Sequence, residues 1–406
     1  MPTPPHDPLR ELGPLNRDAI YAELRERTPV YWSSVYAGWI LTRYADVSAI
    51  LRHPDALVLD AMPLLEALCQ RGNLDLSSLI TFYSSLSLLT RPPQHAAIRR
   101  VLAQTLGEIW RLNLPEVLAR RADLLLELGE RDGAIDLAGG YGKALALFVI
   151  GSLLGVPEGD QRGLSTLALD LPAVFERNLS VSALRKLDKC AAALMDYFAG
   201  LIKLRRKNPG DDGTSRLVRL ADEQLECSDE DLSGYCTFFF VAAEETTAAS
   251  ISGSAHLLLQ RPALRAQLTS DPSRVPHAVR EFLRLTTAVQ YAARELPVDI
   301  RLAGQLIPAG EPIIVMLGAA NRDPAAFPDP DEVNLDRSGP ESLVFAAGPY
   351  RCIGAQLAAM ELDIALRKLL EWPRLQLSPQ PPVWTDRTNV APLKHLQAHF
   401  VPTQLL

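Results

Sequence analysis

The stretch Phe345-Ala346-Ala347-Gly348-Pro349-Tyr350-Arg351-Cys352-Ile353-Gly354 places one cysteine between two glycines, directly before an apolar segment. Apolar side chains recur at helical spacing from residue 355 to residue 370, which predicts that Cys352 lies at or just before a helix N-terminus. The unpaired amide groups and the positive dipole end of a first helical turn stabilise an anion. A cysteine at this place therefore favours its thiolate form.

The residues beside Cys352 leave room for a large molecule. Gly348 and Gly354 allow the backbone to come close to a flat or bulky group, and Phe345 can pack beneath it. A thiolate is a soft, anionic axial ligand for iron. The competing interpretation is a buried structural cysteine in a glycine-rich turn, since short motifs also occur by chance.

This stretch resembles the cysteine-ligand loop of the cytochrome P-450 monooxygenases, whose pattern is Phe-x-x-Gly-x-His-x-Cys-x-Gly. The match falls on Phe345, Gly348, Cys352 and Gly354. Tyr350 stands where the family usually has a histidine that donates to a haem propionate, and a phenol can also donate. The resemblance implies that Cys352 is the axial ligand of haem b and that the other four residues contact the cofactor.

Composition and charge narrow the class of protein. The chain has 406 residues, 48% hydrophobic and 22% charged, which is enough to bury a large core. The net charge of −7 argues against nucleic acid as a partner. No C-x-x-C pair occurs among the cysteines, which are Cys69, Cys190, Cys227, Cys236 and Cys352. This scatter suits a reducing cytoplasm and not a disulfide framework.

No composition break or long flexible linker marks a domain boundary. We therefore expect a single domain over residues 1–406, with an N-terminal arm at residues 1–15. The N-terminus is polar and proline-rich, and we expect neither a signal peptide nor an 18-residue apolar run that could cross a membrane. The resemblance is to the soluble, bacterial type, without a membrane anchor and in the cytoplasm.

A second motif lies in the middle of a long predicted helix. Ser228-Asp229-Glu230-Asp231 is a capping pattern, and a helix running from there to residue 261 would be about 48 Å long at 1.5 Å per residue. Its centre, Ala242-Ala243-Glu244-Glu245-Thr246-Thr247, resembles the family pattern Ala-Gly-x-Asp/Glu-Thr-Thr. A carboxylate and a hydroxyl beside so many apolar residues require a function, because their burial costs free energy.

Reduction of dioxygen consumes protons, and this acid–threonine pair could supply them. The resemblance implies that Glu245 passes protons in from solvent and that Thr246 hydrogen-bonds the oxygen or the water that delivers the proton. Ala242 would face the cofactor, and we expect the additional charge of Glu244 to face solvent. The alternative is that both acids lie on the wet side of the helix and that Thr246 bonds its own backbone.

Two further segments resemble the family's propionate-binding positions. In Arg91-Pro92-Pro93-Gln94-His95-Ala96-Ala97-Ile98-Arg99-Arg100, a helix start places His95 and Arg99 four residues apart on one face. The segment Ala292-Ala293-Arg294-Glu295 resembles a strand whose arginine meets a propionate. A solvated basic helix start is the alternative interpretation of the first segment.

Glu281-Phe282-Leu283-Arg284 places an acid and a guanidinium one helical turn apart. In the family, such a pair joins an arginine from a later loop, here Arg337, in a buried network that positions the cysteine loop. Buried charges of this kind must satisfy one another. We assign Glu281, Arg284 and Arg337 to structure and not to catalysis.

The predicted substrate pocket is mainly apolar, with a few hydrogen-bonding groups. Its candidate residues are Phe238, Phe239, Val241, Thr287, Val289 and Gln290. A pair of histidines, His395 and His399, lies four residues apart, but no acid accompanies it in the sequence and we expect no metal site there.

Together these motifs predict a mainly α protein of the cytochrome P-450 fold, with one large helical domain and a small β-rich lobe. The implied reaction inserts one atom of dioxygen into an organic substrate. Electrons would come from NAD(P)H through ferredoxin and ferredoxin reductase, because the sequence contains no flavin or iron–sulfur motif. The resemblance also implies a monomer. A peroxide-driven enzyme, a different oxidation such as desaturation, coupling or nitration, and a non-catalytic haem or ligand-binding protein remain alternatives.

Overall fold

The chain forms two compact units that are interleaved along the sequence. The first, called the sheet unit here, comprises Met1–Leu59, Leu118–Leu145 and Thr246–Leu406. The second, called the helical unit, comprises Asp60–Val117 and Ala146–Glu245. The computed structural model describes residues 7–60, 62–86, 90–107, 113–176, 179–390 and 392–402. The first six residues of the predicted N-terminal arm lie outside these ranges.

Helices make up most of the described structure. In chain order they are α1 (Arg17–Arg27), α2 (Tyr44–Arg52), α3 (Met62–Gly72), α4 (Ser77–Ser84), α5 (Gln94–Gly107), α6 (Leu114–Asp132), α7 (Lys143–Leu154), α8 (Glu158–Ala168), α9 (Val181–Lys207), α10 (Gly213–Gln224), α11 (Asp229–Leu259), α12 (Pro262–Ser270), α13 (Val275–Thr286), α14 (Leu317–Ala320) and α15 (Ala355–Leu370).

The strands are short. They are β1 (Val30–Ser33), β2 (Gly38–Leu41), β3 (Leu57–Val58), β4 (Ala134–Asp136), β5 (Tyr291–Glu295), β6 (Ile300–Leu302), β7 (Gln305–Ile307), β8 (Ile313–Met316), β9 (Leu375–Leu377), β10 (Val383–Trp384), β11 (Leu393–His395) and β12 (Gln397–Phe400). This content confirms the predicted mainly α class with a small β-rich part.

The largest sheet of the sheet unit has five strands in the order β1-β2-β8-β5-β3. β1 and β2 form an antiparallel hairpin, and β8 runs parallel to β2 and antiparallel to β5. Arg294 in β5 pairs with Ile313 of β8 on one side and with Val58 of β3 on the other. The backbone of Arg294 is therefore fixed from both sides.

Side chains alternate across this sheet and build a core on each face, as the two-residue period of a strand requires. Trp39, Leu41, Ile313 and Val315 belong to one core cluster, together with Val47, Ile50 and Leu51 of α2. Tyr31, Ile40, Ile314 and Met316 belong to the other, together with Tyr21 and Leu24 of α1. The N-terminal arm joins the second cluster through Leu9, and the buried Asp7 accepts hydrogen bonds from Tyr31 (3.1 Å) and Ser33 (2.5 Å).

The helical unit is held together by contacts of α9 with α4, α8 and α10, and of α5 with α10. Asp188 of α9 accepts a hydrogen bond of 2.9 Å from the amide of Leu79 in α4. Thr214 of α10 donates one of 2.7 Å to the carbonyl oxygen of Leu154 at the end of α7. These bonds connect α9 to α4 and α10 to α7 in addition to their side-chain packing.

Helix α11 is the long helix that the sequence predicts, and the division between the units falls within it, between Glu245 and Thr246. Ser228 caps its start, because its hydroxyl accepts the amide of Asp231 at 3.1 Å while the Asp231 carboxylate accepts the amide of Ser228 at 2.8 Å. This reciprocal arrangement satisfies two groups that a helix end leaves unpaired. The residues on both sides of the division therefore share one continuous helix.

The expectation that no apolar run reaches membrane-spanning length was wrong for one segment. Leu137–Leu154, which includes α7, is 18 residues long with a mean hydropathy of 1.6. Of this segment 61% is buried inside the protein. A buried core helix has the same composition as a membrane span, so length and hydropathy alone do not distinguish the two.

Candidate functional site

The cysteine loop is built from tight backbone turns. The amide of Cys352 donates to the carbonyl oxygen of Phe345 at 2.9 Å, and the amide of Arg351 donates to that of Gly348 at 3.1 Å. Helix α15 begins at Ala355, so Cys352 lies just before a helix N-terminus as predicted. The cysteine side chain is exposed, which rules out the interpretation as a buried structural cysteine.

Gly348 is required for the shape of this loop. Its φ of +69° lies in the left-handed region, and a Cβ there would come within 2.2 Å of the carbonyl oxygen of Leu51. The end of α2 therefore packs directly against the loop. A Cβ at Gly354 would lie 3.8 Å from the sulfur of Cys352, which is ordinary contact.

Arg294 and Tyr350 meet beside this loop. The guanidinium carbon of Arg294 lies 5.4 Å from the centre of the Tyr350 ring, within the range of a cation–π contact. Arg294 is 4% exposed, and its Nη1 donates to the carbonyl oxygen of Ala293 at 2.9 Å. Burial lowers the pKa of Arg294 to about 10, although the nearby Tyr350 acts in the opposite direction. The side chain is therefore still a cation at neutral pH.

Glu281, Arg284 and Arg337 lie together in a buried network. The Arg284 guanidinium grips Glu281 with two bonds of 2.9 Å, and Nε of Arg337 reaches the same carboxylate at 3.0 Å. Burial alone would raise the pKa of Glu281, but hydrogen bonds from Arg284, from the amide of Asn334 and from Arg337 outweigh it and lower the pKa. The carboxylate is thus held in its charged form.

Asn321 connects this network to the cysteine loop and was not singled out from the sequence. Its carbonyl oxygen accepts from Arg284 at 3.0 Å, and its side-chain oxygen accepts from the amide of Leu343 at 2.6 Å. The carbonyl oxygen of Leu343 in turn accepts the amide of Ala346 at 2.9 Å. A continuous hydrogen-bonded path thus runs from Arg284 into the loop that carries Cys352.

Helix α11 presents the acid–threonine pair on one face. Phe238, Ala242, Glu245 and Thr246 recur at i, i+4, i+7 and i+8, and all four are half-buried. The buried residues of the same segment are Phe239, Phe240, Val241, Glu244 and Thr247. The helix therefore aligns an aromatic ring, a small residue, a carboxylate and a hydroxyl along one strip.

The expectation that Glu244 faces solvent was wrong. Glu244 is 5% exposed and accepts a short hydrogen bond from the hydroxyl of Ser165 in α8. The two residues are 79 positions apart, so no local pattern in the sequence could reveal the contact. A buried carboxylate needs such a partner because leaving it unpaired is costly.

The other predicted propionate-binding residues lie on α5 in the helical unit. His95 is 6% exposed, and Arg99, four residues later, is half-buried. Burial, with a smaller contribution from the positive charge of Arg99, lowers the pKa of His95. The cation of this pair at neutral pH is therefore Arg99.

Three predicted pocket residues follow α13 in the sheet unit. Thr287 has a φ of +30° and is 2% exposed. Its hydroxyl donates to the carbonyl oxygen of Arg284 at 2.6 Å and accepts from Asn321 at 2.9 Å. Gln290 is 3% exposed and donates to the carbonyl oxygen of Thr287, while Val289 is half-buried. The Thr287 hydroxyl thus takes part in the network around Arg284, and the pocket assignment stays a prediction.

Comparison with known proteins identifies the family. A family model described as cytochrome P450 matches residues 164–396. Mycinamicin IV hydroxylase/epoxidase of Micromonospora griseorubida is 31% identical over 90% of each chain. The chain belongs to the cytochrome P450 family. It is a cytochrome P450 monooxygenase of the bacterial type.

Solved P450 structures have the same fold. P450BioI in complex with an acyl carrier protein carrying hexadec-9Z-enoic acid superposes with a TM-score of 0.86, at 29% identity, over 95% of this chain and 99% of that one. CYP109E1 from Bacillus megaterium in complex with testosterone gives a TM-score of 0.83, at 27% identity, over 95% and 98%. The predicted P450 fold is therefore confirmed.

The P450 family uses haem and dioxygen, and the residues of the sheet unit fit a haem. Haem carries two anionic propionates, and the Nε of the buried Arg294 finds no acceptor among the described residues. An anion at that place would satisfy it. Cys352 is exposed and follows Tyr350, whose ring lies beside Arg294, by two residues in the chain. A cation for a propionate and a thiolate for iron are the two groups that haem binding in this family requires.

The P450 also contains a buried acid that the sequence did not bring to attention. Glu361 on α15 is 2% exposed, and its Oε2 has no hydrogen-bond partner within the described ranges. Burial raises the pKa of Glu361 well above its usual range. In sequence the residue is one acid within an amphipathic helix, and only packing determines that it faces inward.

Glu361 leads to a pH-dependent prediction. The folded protein keeps the Glu361 proton to a higher pH than the unfolded chain does, so stability falls as pH rises above the unfolded pKa of about 4.3. We expect Glu361→Gln to raise the free energy of unfolding by about 1–3 kcal/mol more at pH 8 than at pH 5. Urea unfolding at both pH values measures this difference. The exposed Glu26, changed to glutamine, is the control, and equal effects of the two variants would contradict the prediction.

The structure adds one contact to the description of the histidine pair His395 and His399. An acid does accompany it, since Nδ1 of His395 lies 2.8 Å from Oδ2 of Asp136. The other oxygen of Asp136 accepts the amides of Ala138 and Leu396. These bonds join β4 to the turn between β11 and β12, which is a structural role.

Proposed function

We propose that this P450 hydroxylates or otherwise oxidises a small, mainly apolar organic molecule, in secondary metabolism or catabolism. The observation that carries the proposal is the strip along α11, where Phe238 and Ala242 lead to Glu245 and Thr246 on one half-buried face. Apolar side chains beside a carboxylate and a hydroxyl suit an apolar substrate that binds next to a site where protons are consumed.

The relatives support the chemical class of substrate. One similar P450 is named for mycinamicin IV, and similar solved structures hold a hexadec-9Z-enoic acid chain or testosterone. The last two molecules are largely apolar and carry few polar groups. The candidate pocket residues of this chain, three of them from the apolar part of α11, have the same character.

Each site residue has a role in the proposed reaction. Cys352 would hold the haem iron through its sulfur, and Arg294, His95 and Arg99 would bind the propionates. When bound, haem supplies the iron at which dioxygen is activated. Glu245 would take protons from solvent on its carboxylate, and the hydroxyl of Thr246 would hold the proton next to the reacting oxygen. Glu281, Arg284 and Arg337 would keep the cysteine loop in place.

We further propose that electrons come from NAD(P)H through ferredoxin reductase and ferredoxin, and that the protein is a cytoplasmic monomer. The side chain of Arg351, directly before Cys352, is 52% exposed and lies 3.9 Å from the carboxylate of Glu341. Such an exposed cation beside the cysteine could attract an acidic partner protein. Charge of this kind mainly speeds association of the two proteins.

Turnover with labelled oxygen tests the proposed function. The haem-loaded protein would be supplied with NADPH, a surrogate ferredoxin and its reductase, and ¹⁸O₂, with hexadec-9Z-enoic acid and testosterone as probes. We expect a product that contains one ¹⁸O atom. An oxidised product without ¹⁸O would indicate desaturation or coupling, and equal turnover with hydrogen peroxide alone would indicate a peroxide-driven enzyme. A haem spectrum without any product would favour a binding protein.

The acid–threonine pair gives a separate prediction. Thr246→Ala should lower the product formed per NADPH by about tenfold or more, because the proton no longer reaches its acceptor and reducing equivalents are lost as hydrogen peroxide. Thr247→Ala is the matched control, since Thr247 is 4% exposed and lies off the half-buried strip. Product and peroxide yields measure the effect, and equal coupling in both variants would refute the role of Thr246.

A further inference from the structure

Tyr350 departs from the family pattern, and its position gives this departure a function. We propose that Tyr350 is a positioning residue that holds the Arg294 guanidinium against its ring and so aims it at a haem propionate. This role differs from that of a hydrogen-bond donor to the propionate. The inference rests on the proposed haem site at Cys352.

The first observation is that the backbone of Arg294 is paired on both sides, whereas its guanidinium has few hydrogen-bond partners. Its strand is paired on both sides, which restrains the backbone at Arg294. Its side chain is buried, and the hydrogen bond that it makes goes to the neighbouring carbonyl of Ala293. Within the described ranges no carboxylate pairs with Arg294, and Nε has no acceptor. A buried cation in this state is poised to receive an anion.

The second observation is the surface against which the guanidinium rests. The Tyr350 ring lies 5.4 Å from the guanidinium carbon, and an aromatic face attracts a cation most strongly where water is excluded. Arginine also stacks readily on aromatic rings because its head group is planar and weakly hydrated. The ring therefore limits the rotamers of Arg294, while Nε of the guanidinium has no acceptor within the described ranges and can bind an oxygen ligand.

The third observation is the support of the ring. Tyr350 ends a 3-10 turn, Gly348–Tyr350, whose start packs against the backbone of Leu51 and Arg52. Two residues later comes Cys352, whose amide is bonded to Phe345. The same rigid loop thus carries the sulfur for the iron and the ring for the propionate-binding arginine, which couples the two ends of the cofactor site.

The rate of haem release distinguishes the two possible roles of Tyr350, which are stacking of its ring on Arg294 and donation of a hydrogen bond by its hydroxyl. Haem-loaded protein would be mixed with excess apomyoglobin, and transfer would be followed in the Soret region. We expect Tyr350→Phe to release haem within about twofold of the wild-type rate, because the ring remains, and Tyr350→Leu about tenfold faster. If Tyr350→Phe released haem as fast as Tyr350→Leu, the stacking role would be overturned in favour of a hydrogen bond donated by the hydroxyl.

A double-mutant cycle tests whether Tyr350 acts through Arg294. In an Arg294→Gln background, Tyr350→Leu should change the release rate by less than about twofold, since no guanidinium is left to position. The midpoint potential should fall in Tyr350→Leu as it does in Arg294→Gln, because a well-placed cation favours the reduced, less positive haem. A full effect of Tyr350→Leu in the Arg294→Gln background would overturn the proposal.

The haem site and the stacking role can fail separately. A wild-type protein that binds no haem through Cys352, seen as a missing long-wavelength carbon monoxide band, overturns both. A wild-type protein with that band whose Tyr350→Leu variant keeps the wild-type release rate and potential overturns the stacking role alone.

Discussion

Cys352→Ser is expected to abolish the long-wavelength Soret band in the carbon monoxide difference spectrum of the dithionite-reduced protein. Serine keeps the size of the side chain but offers no soft thiolate to iron. Changes to groups that only support a metal ligand typically cost ten- to a hundredfold, so loss of the ligand itself should lower monooxygenase turnover by more than about a hundredfold. The spectrum and turnover with NADPH measure the two effects.

Cys227→Ser is the matched control for this variant. Cys227 is half-buried in the helical unit, and burial raises the pKa of its thiol, so it is poorly suited to bind iron as a thiolate. Its replacement should leave the spectrum unchanged. If Cys352→Ser kept the long-wavelength band, another residue would have to be the ligand and the proposed site would be wrong.

Arg284→Met is expected to cost about 3–5 kcal/mol of folding free energy and to reduce haem retention. The change would leave the Glu281 carboxylate, which is 5% exposed, without the two hydrogen bonds and the positive charge of Arg284 that offset the cost of burying it. It would also free the carbonyl oxygens of Asn321, Pro330 and Glu332, to which Arg284 donates. Urea unfolding of the haem-loaded protein, with haem content measured alongside, gives both quantities.

Two further variants make this prediction specific. Arg27→Met removes an exposed i,i+4 pair with Glu23, in which the side chains are 73% and 52% exposed, and should cost less than about 0.5 kcal/mol. Arg284→Lys keeps the charge but not the two-pronged grip, so an intermediate loss is expected. Equal losses in Arg284→Met and Arg27→Met would contradict the role of the buried network.

The pKa of Glu281 adds a pH dependence to the same network. Because hydrogen bonds and nearby charges hold this pKa below its usual value, the stabilisation is present above the unfolded pKa and is lost as pH falls through the folded pKa. The free energy of unfolding measured in urea should therefore begin to lose the contribution of Glu281 below about pH 4.3, the ordinary pKa of glutamate. The Glu281 carboxylate therefore stays charged, and its bonds to Arg284 and Arg337 stay intact, at neutral pH.

Local patterns determined the parts of the protein whose signal lies in neighbouring residues. The cysteine loop before α15 and the long helix α11 with its acid–threonine pair were predicted because glycine, capping and apolar spacing act within a few residues. By contrast, no motif marked α3 and α4, which are separated by a turn containing Asn73 with a φ of +46°.

Tertiary structure alone decided which polar groups meet. Glu244 was expected in solvent and instead bonds to Ser165, and Asp136 reaches His395 across 259 positions. Glu361 was indistinguishable from a surface acid until α15 was packed. A hydrogen bond or a burial cost depends on what lies on the other side of a side chain, and a helical or strand period says only which side that is.

Tyr350 shows most clearly what the sequence determined and what the tertiary structure decided. The sequence by itself determined that a phenol replaces the family's histidine two residues before Cys352, but a phenol can either donate a hydrogen bond or offer a ring. Which of these matters depends on the residue that faces it. The fold brings Arg294, 56 residues earlier in the chain, to 5.4 Å from the ring, because β5 is fixed between β8 and β3. Strand pairing over long sequence separations, which no local pattern encodes, therefore decided which residue faces Tyr350.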